Sequence, residues 1–262
     1  MKFRIDHDYH IHSWLSTCSH DPEQTPVRIL QYAKEQGLSK ICLTDHYWDS
    51  AVEGASKWYE PQNFEHIAKY RELPQAEGIH FYFGCETDID KNGVIGIPAS
   101  RYDDFDFIIV PTTHLHMKSL AIPEEKLNDA EYRAQLWVSR FDILLESDLP
   151  MHKVGVAHLT CDLINIESHE ATLKTLSLIS DADLERLFTR SAKLGCGIEL
   201  NYCDMKYIDE SEIRRVYQTA KVCGNRFYLG SDAHRTNEYP SKPYFERAIE
   251  LLGLTENDKF FF

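Results

Sequence analysis

Seven short apolar runs constrain this 262-residue chain more than anything else in it, because each stops at, or within a few residues of, a His, Glu or Asp and most are followed by a stretch with helical spacing. The runs lie at about residues 3–12, 40–44, 79–85, 106–110, 154–157, 197–200 and 226–230. They are too short for helices and mostly show no strict polar alternation, which is how strands covered on both faces read. Helix signals fill the gaps. Thr25 is placed to cap a helix that has Pro26 in its first turn and Gly37 at its end, and a helix over about 130–146 lines up Trp137, Phe141, Leu144 and Leu145 on one face. Ser180 with Asp183 opens a further helix closed by Gly195, and others are expected at about 63–73, 211–223 and 243–252. Strands alternating with helices predict parallel β/α units, and seven of them predict an α/β fold of the distorted (β/α)7, TIM-like barrel kind. An open doubly wound sheet is the alternative.

In either architecture, reactive side chains gather at the carboxyl ends of the strands. The metal-capable residues fall at those ends: His10 and His12, then His46, Glu86, His114, His158, Glu199 with Asn201, and finally Asp232 and His234. On an extended strand residues i and i+2 project to the same side, so His10 and His12 can close on one ion without a bend. Asp232 and His234 repeat that spacing. A lone His at a strand end is ordinarily a hydrogen-bonded loop residue; the joint placement is what points to a metal centre. Glu199 and Asn201 are expected to cap backbone amides rather than bind metal. His7, His66, His80, His152 and His169 are expected to lie on the surface or in the core.

Composition narrows the function classes. Lys plus Arg number 28 against 42 Asp plus Glu, a net charge of -14, which speaks against a nucleic-acid partner. No run approaches the roughly 20 apolar residues of a membrane helix. The charged N-terminal residues do not read as a signal peptide, so a cytoplasmic location is expected. Seven scattered cysteines without a Cys-x-x-Cys pair argue against a disulfide framework or a cysteine zinc knuckle.

The set His10-x-His12, Thr44-Asp45-His46, Gly84-Cys85-Glu86, His114, Ala157-His158 and Gly230-Ser231-Asp232-x-His234 resembles that of PHP-domain (polymerase and histidinol phosphatase) proteins, over nearly the whole chain. The resemblance implies one metallohydrolase domain spanning residues 1–262, a distorted seven-stranded barrel, and two or three divalent ions drawn from zinc, manganese and iron. It implies phosphatase activity on a small phosphorylated metabolite, of the histidinol-phosphatase kind, by attack of a metal-bound hydroxide. Carried over by position, His10, His12, Glu86 and Asp232 would hold one ion, and Glu86 would bridge to a second held by His114 and His158. His46 and His234 would hold a third, completed from the loop after the first strand. Family members often place a His eight residues after the first; here Cys18 stands there and His20 follows, so His20 is expected to complete that site, with Cys18 as the alternative.

Asp232 or His234 is the expected proton-transfer group. His116, Arg235, Lys118 and Trp48 are the expected substrate contacts, with residues 47–61 forming an aromatic lid. Two other readings compete. An amidohydrolase acting on a C–N or lactone bond also begins with His-x-His, but commonly uses a strand-four Lys where this chain runs into Pro111. A metal-binding module without turnover is the other.

Overall fold

The computed structural model describes residues 1–118 and 120–262. All named strand pairs are parallel, and they form two sheets of order β1-β2-β4 and β3-β5-β6-β7-β8-β9. The strands are β1 His7–Ile11, β2 Lys40–Leu43, β3 His46–Tyr47, β4 His80–Phe83, β5 Cys85–Thr87, β6 Ile108–Pro111, β7 Val154–Ala157, β8 Gly197–Asn201 and β9 Arg226–Gly230. The expected second run is followed by a further short strand, β3, and the expected third run is cut in two. Gly84 shows why: its N–H donates to Leu43 O at 2.7 Å in one sheet, and the next amide, Cys85 N, donates to Phe107 O at 3.1 Å in the other. The chain changes partners at that residue. A Cβ on Gly84 would stand 2.5 Å from Phe107 O, so only glycine lets the strands approach closely enough for the hand-over.

The first and last strands bring the two sheets together. Asp232 N donates to His10 O at 2.7 Å and His12 N to Ala233 O at 3.0 Å. Side chains contributed by both sheets, Tyr9, Cys42, Ile109, Ala157 and Tyr228, meet with Phe107 and Phe260 in one buried cluster. The sheets wrap that shared interior as a distorted barrel, in agreement with the sequence expectation.

Helices pack outside: α1 Pro26–Gln36, α2 Phe64–Ile67, α3 Ala130–Glu146, α4 His169–Ser177, α5 Asp181–Leu194, α6 Tyr202–Met205, α7 Ser211–Val222 and α8 Lys242–Leu252. Their ends follow local chemistry. Thr25 accepts from Arg28 N ahead of α1, Ser180 from Asp183 N ahead of α5, and Gly37 and Gly195 close the same helices in left-handed conformation. Trp137, Phe141, Leu144 and Leu145 of α3 are buried against the sheet as the spacing predicts. The helix expected over 63–73 is shorter, α2 followed by a 3-10 turn at Ala68–Tyr70. No helix of the described residues is long and apolar enough to cross a membrane.

Candidate metal centre

Strand register builds the centre. His46 on β3 and Glu86 on β5 are direct partners in adjacent strands, which sets His46 Nδ1 2.8 Å from Glu86 Oε2. His10 lies one residue before the end of β1 and His12 just after it; their Nε2 atoms are 3.1 Å apart and lie 3.6 and 3.4 Å from the same carboxylate oxygen. The other oxygen, Glu86 Oε1, is 3.2 Å from His158 Nε2 and 3.9 Å from His114 Nε2. Asp232 Oδ1 stands 3.2 Å from His12 Nε2 and 3.4 Å from His10 Nε2. His234 Nε2 is 3.5 Å from His46 Nε2. Three overlapping groups result, His10–His12–Glu86, Glu86–His114–His158 and His12–His46–His234, each with its ligand-capable atoms within 4.8 Å of one another. Eight of the nine residues expected as ligands thus converge.

The ninth does not. His20 is exposed and belongs to none of the three groups, while Cys18, two residues earlier, lines the cavity and sits against His46 and His234. The loop holds its position through Ser19, whose hydroxyl donates to His234 O at 2.7 Å. That anchor leaves Cys18 inward and His20 outward.

The far nitrogen of each of four imidazoles is committed elsewhere, and this fixes the tautomers. His10 Nδ1 donates to Glu199 Oε1 at 2.8 Å and His114 Nδ1 to Asp88 Oδ2 at 2.9 Å. His12 Nδ1 meets Ser16 Oγ at 3.0 Å, and since that hydroxyl donates onward to Asp45 Oδ1, it must accept from the ring. His158 Nδ1 meets Thr113 Oγ1 at 2.9 Å, and that hydroxyl likewise donates onward, to His158 O. Protons on the four Nδ1 atoms leave four Nε2 lone pairs aimed at one place. Glu86 Oε2, fully buried among them, takes part in no hydrogen bond. Facing lone pairs and an orphaned carboxylate oxygen repel each other unless cations lie between, so the donor set fits divalent metal.

Electrostatics agree. Burial would raise the Glu86 carboxyl, but the neighbouring imidazoles of His46 and His10 outweigh it and hold it well below the usual carboxylate range. Asp232 is likewise held low, against its burial, by His10 and by hydrogen bonding to His12. Burial drives His12 well below its ordinary value, reinforced by His234 and His46. For Cys18, burial pushes the thiol up, but His46 and His234 bring it down to about 7.

A cavity of about 600 Å³ opens onto these groups, walled by Cys18, Trp58, Tyr59, His116, Met117, Leu163, Arg235 and Glu238. His116 stands at its edge with Nδ1 buried and unpartnered, where burial and neighbouring His114 press its pKa down to about 3. Trp48 corrects the expectation of a substrate contact. It is 1% exposed, packs with Tyr59 and Leu120 inside the lid, and spends its indole N–H on Val52 O, so Trp58 takes the position at the wall. Lys118 is exposed and is not among the wall residues.

Three buried acids were not singled out as supports from sequence. Asp45 organises Ser13 and Ser16 beneath His12. Asp88 receives His114 and also the buried Arg140, at 2.8 Å. Glu199 does accept a backbone amide, His158 N at 2.7 Å, as expected, but it also receives His10. The signals were available: Asp88 lies two residues after Glu86, and Arg140, like Arg133, is a charge on the mainly apolar face of α3.

The family model for the PHP domain matches residues 8–229. The chain belongs to the PHP-domain family. This PHP-domain chain also resembles two solved structures over most of its length. One is a histidinol phosphate phosphatase (HISK) from Lactococcus lactis complexed with zinc, L-histidinol and phosphate, with 17% identity, a TM-score of 0.58, and coverage of 98% of this chain and 99% of that one. The other is a candidate histidinol phosphatase from Listeria monocytogenes, with 13% identity, a TM-score of 0.56, and coverage of 92% and 99%. At these identities the likeness concerns the fold. Among curated proteins, no relative matches.

Proposed function

We propose that this protein is a metal-dependent phosphoesterase that removes phosphate from a small metabolite, a histidinol-phosphate-like compound being the first candidate. The observation that carries the reading is the single carboxylate of Glu86 ringed by imidazole nitrogens of His10, His12, His46, His114 and His158 beside an open cavity. His10, His12, Glu86 and Asp232 would hold one ion, and Glu86, His114 and His158 a second. His46 and His234 would hold a third, with Cys18 as the inward-facing residue of the loop. A thiolate beside imidazoles suits zinc better than manganese. Divalent ions there would supply charge neutralisation for phosphoryl oxygens and activation of water at neutral pH.

The chain's own residues would do the rest. Two carboxylates among neutral imidazoles leave a loaded centre net positive, which favours a dianion over a neutral amide or lactone. Asp232 keeps 22% of its side chain exposed while Glu86 keeps 1%, so Asp232, with His234 beside it, is the acid placed to exchange a proton with water or the leaving alkoxide. Trp58, Tyr59, Met117 and Leu163 give the organic part an apolar wall. Support for phosphoester over amidohydrolase chemistry comes from Glu86 as the bridging group and from a cavity wall that includes no lysine among the described residues.

Arg235 lines the cavity with its side chain half-exposed and 3.8 Å from Glu238, within reach of phosphate oxygens. Arg235→Ala is expected to raise KM for the phosphorylated substrate about tenfold with a smaller change in kcat. An unchanged KM would remove Arg235 from the site.

The deciding experiment is elemental analysis followed by a panel of phosphomonoesters, including histidinol phosphate, run beside amides and lactones, with His12→Ala and Asp232→Ala as controls. Turnover confined to amides or lactones would overturn the reading.

A further inference from the structure

We infer that Glu199 is a positioning residue that ties two of the three metal-capable groups together, and that Gly230 supplies the space it needs. The inference rests on the reading that His10 and His158 bind metal. Glu199 lies on β8, is fully buried, and divides its oxygens between residues from opposite sides of the centre. Oε1 receives His10 Nδ1 at 2.8 Å, and Oε2 receives the backbone N–H of His158 at 2.7 Å, with Asn201 Nδ2 a further donor at 3.3 Å. His10 belongs to the His10–His12–Glu86 group and His158 to the Glu86–His114–His158 group.

Each bond does something a generic buried acid would not. The first fixes the proton of His10 on Nδ1 and turns the Nε2 lone pair toward Glu86, with a full negative charge behind the ring to strengthen it as a donor. The second restrains His158, whose φ of 30° lies in the left-handed region that a non-glycine residue adopts only when its surroundings hold it there. No Arg or Lys among the described residues hydrogen-bonds Glu199, so the fold keeps a buried carboxylate with only His10, the His158 amide and Asn201 for company. Burying such a charge opposes stability, which a purely structural position would avoid with an amide or an apolar side chain.

Gly230 completes the device. A Cβ at that position would stand 1.8 Å from Glu199 Oε1 and 2.7 Å from the Cβ of His10. The carboxylate occupies the volume that any other residue at 230 would claim. Asn201, opposite Gly230 in the β8–β9 register, closes the other side.

The test uses the full chain as wild type, Glu199→Gln and Gly230→Ala, each stripped of metal and titrated with zinc against a chromophoric competitor. Nitrogen–proton correlation spectra of the metal-free proteins read the His10 tautomer. A carboxamide keeps the shape but cannot accept with both ends, so Glu199→Gln is expected to retain the fold, lose the Nδ1-only tautomer of His10, and weaken zinc binding about 10- to 100-fold. Gly230→Ala, which keeps the carboxylate but displaces it, is expected to move affinity in the same direction. Equal zinc affinity and an unchanged tautomer in Glu199→Gln would overturn the inference while leaving the functional reading intact. If that variant fails to fold, Gly230→Ala decides by the same two readouts. A wild type that binds no zinc would overturn both.

Discussion

Replacing Glu86 with Gln is expected to lower kcat/KM by about three orders of magnitude, roughly 4 kcal/mol of barrier, and to strip the centre of most of its metal. The reason is position. Both oxygens of this one carboxylate face imidazole nitrogens, Oε2 those of His10, His12 and His46 and Oε1 those of His114 and His158. Gln has the same volume but presents an NH2 group to half of these lone pairs and removes the charge that two cations would share. Elemental analysis beside steady-state kinetics checks the expectation. A variant that keeps the full metal complement and wild-type turnover would show that Glu86 does not bridge.

Arg140→Met should produce the largest loss of stability outside the centre, about 3–5 kcal/mol, read as a fall of roughly 10 °C in the unfolding midpoint. Arg140 is 1% exposed on the buried face of α3 and donates to Thr112 O at 2.9 Å, Ile89 O at 2.7 Å and Asp88 Oδ1 at 2.8 Å. Methionine fills similar space but orphans both carbonyls and leaves Asp88 as a buried anion supported by His114 and Tyr59. The chain from Arg140 through Asp88 to His114 means that metal affinity should fall with stability. A denaturation midpoint within about 1 °C of wild type would refute this account.

Much of the architecture could be read from residue patterns, because seven apolar runs buried on both faces leave few alternatives to a parallel β/α arrangement. The bounds of α3 were legible from the helical spacing of Trp137, Phe141, Leu144 and Leu145, and the structure adds Asp129 as its cap. The short strand β3 and the split of β4 from β5 were not, since a change of hydrogen-bond partner such as that at Gly84 is a tertiary event with no local signature. Helix α4 escaped notice because only Thr172, Thr175 and Leu176 of it are buried, too few apolar positions to show a period. Within the centre, spacing identified the imidazoles and acids that meet, yet it could not decide between Cys18 and His20. That choice depends on how Ser19 is anchored to His234. Trp48 and Trp58 were indistinguishable by type; packing of the lid against Leu120 buries one and turns the other to the cavity.

The cavity wall and the centre beneath it hold two kinds of residue, and the difference bears on how such an enzyme changes its diet. Met117 and Leu163 have side chains that hydrogen-bond to no imidazole and sit in ordinary backbone conformations, whereas His158 and Asp232 sit at positive φ. Drift at the first pair can reshape what is admitted while leaving the proposed ligands in place, whereas drift at the second pair is penalised by backbone strain and removes a proposed ligand. New substrates should therefore be reached by exchanging methyl groups on the loops, and saturation libraries confined to positions 117 and 163 are where altered selectivity should be found first.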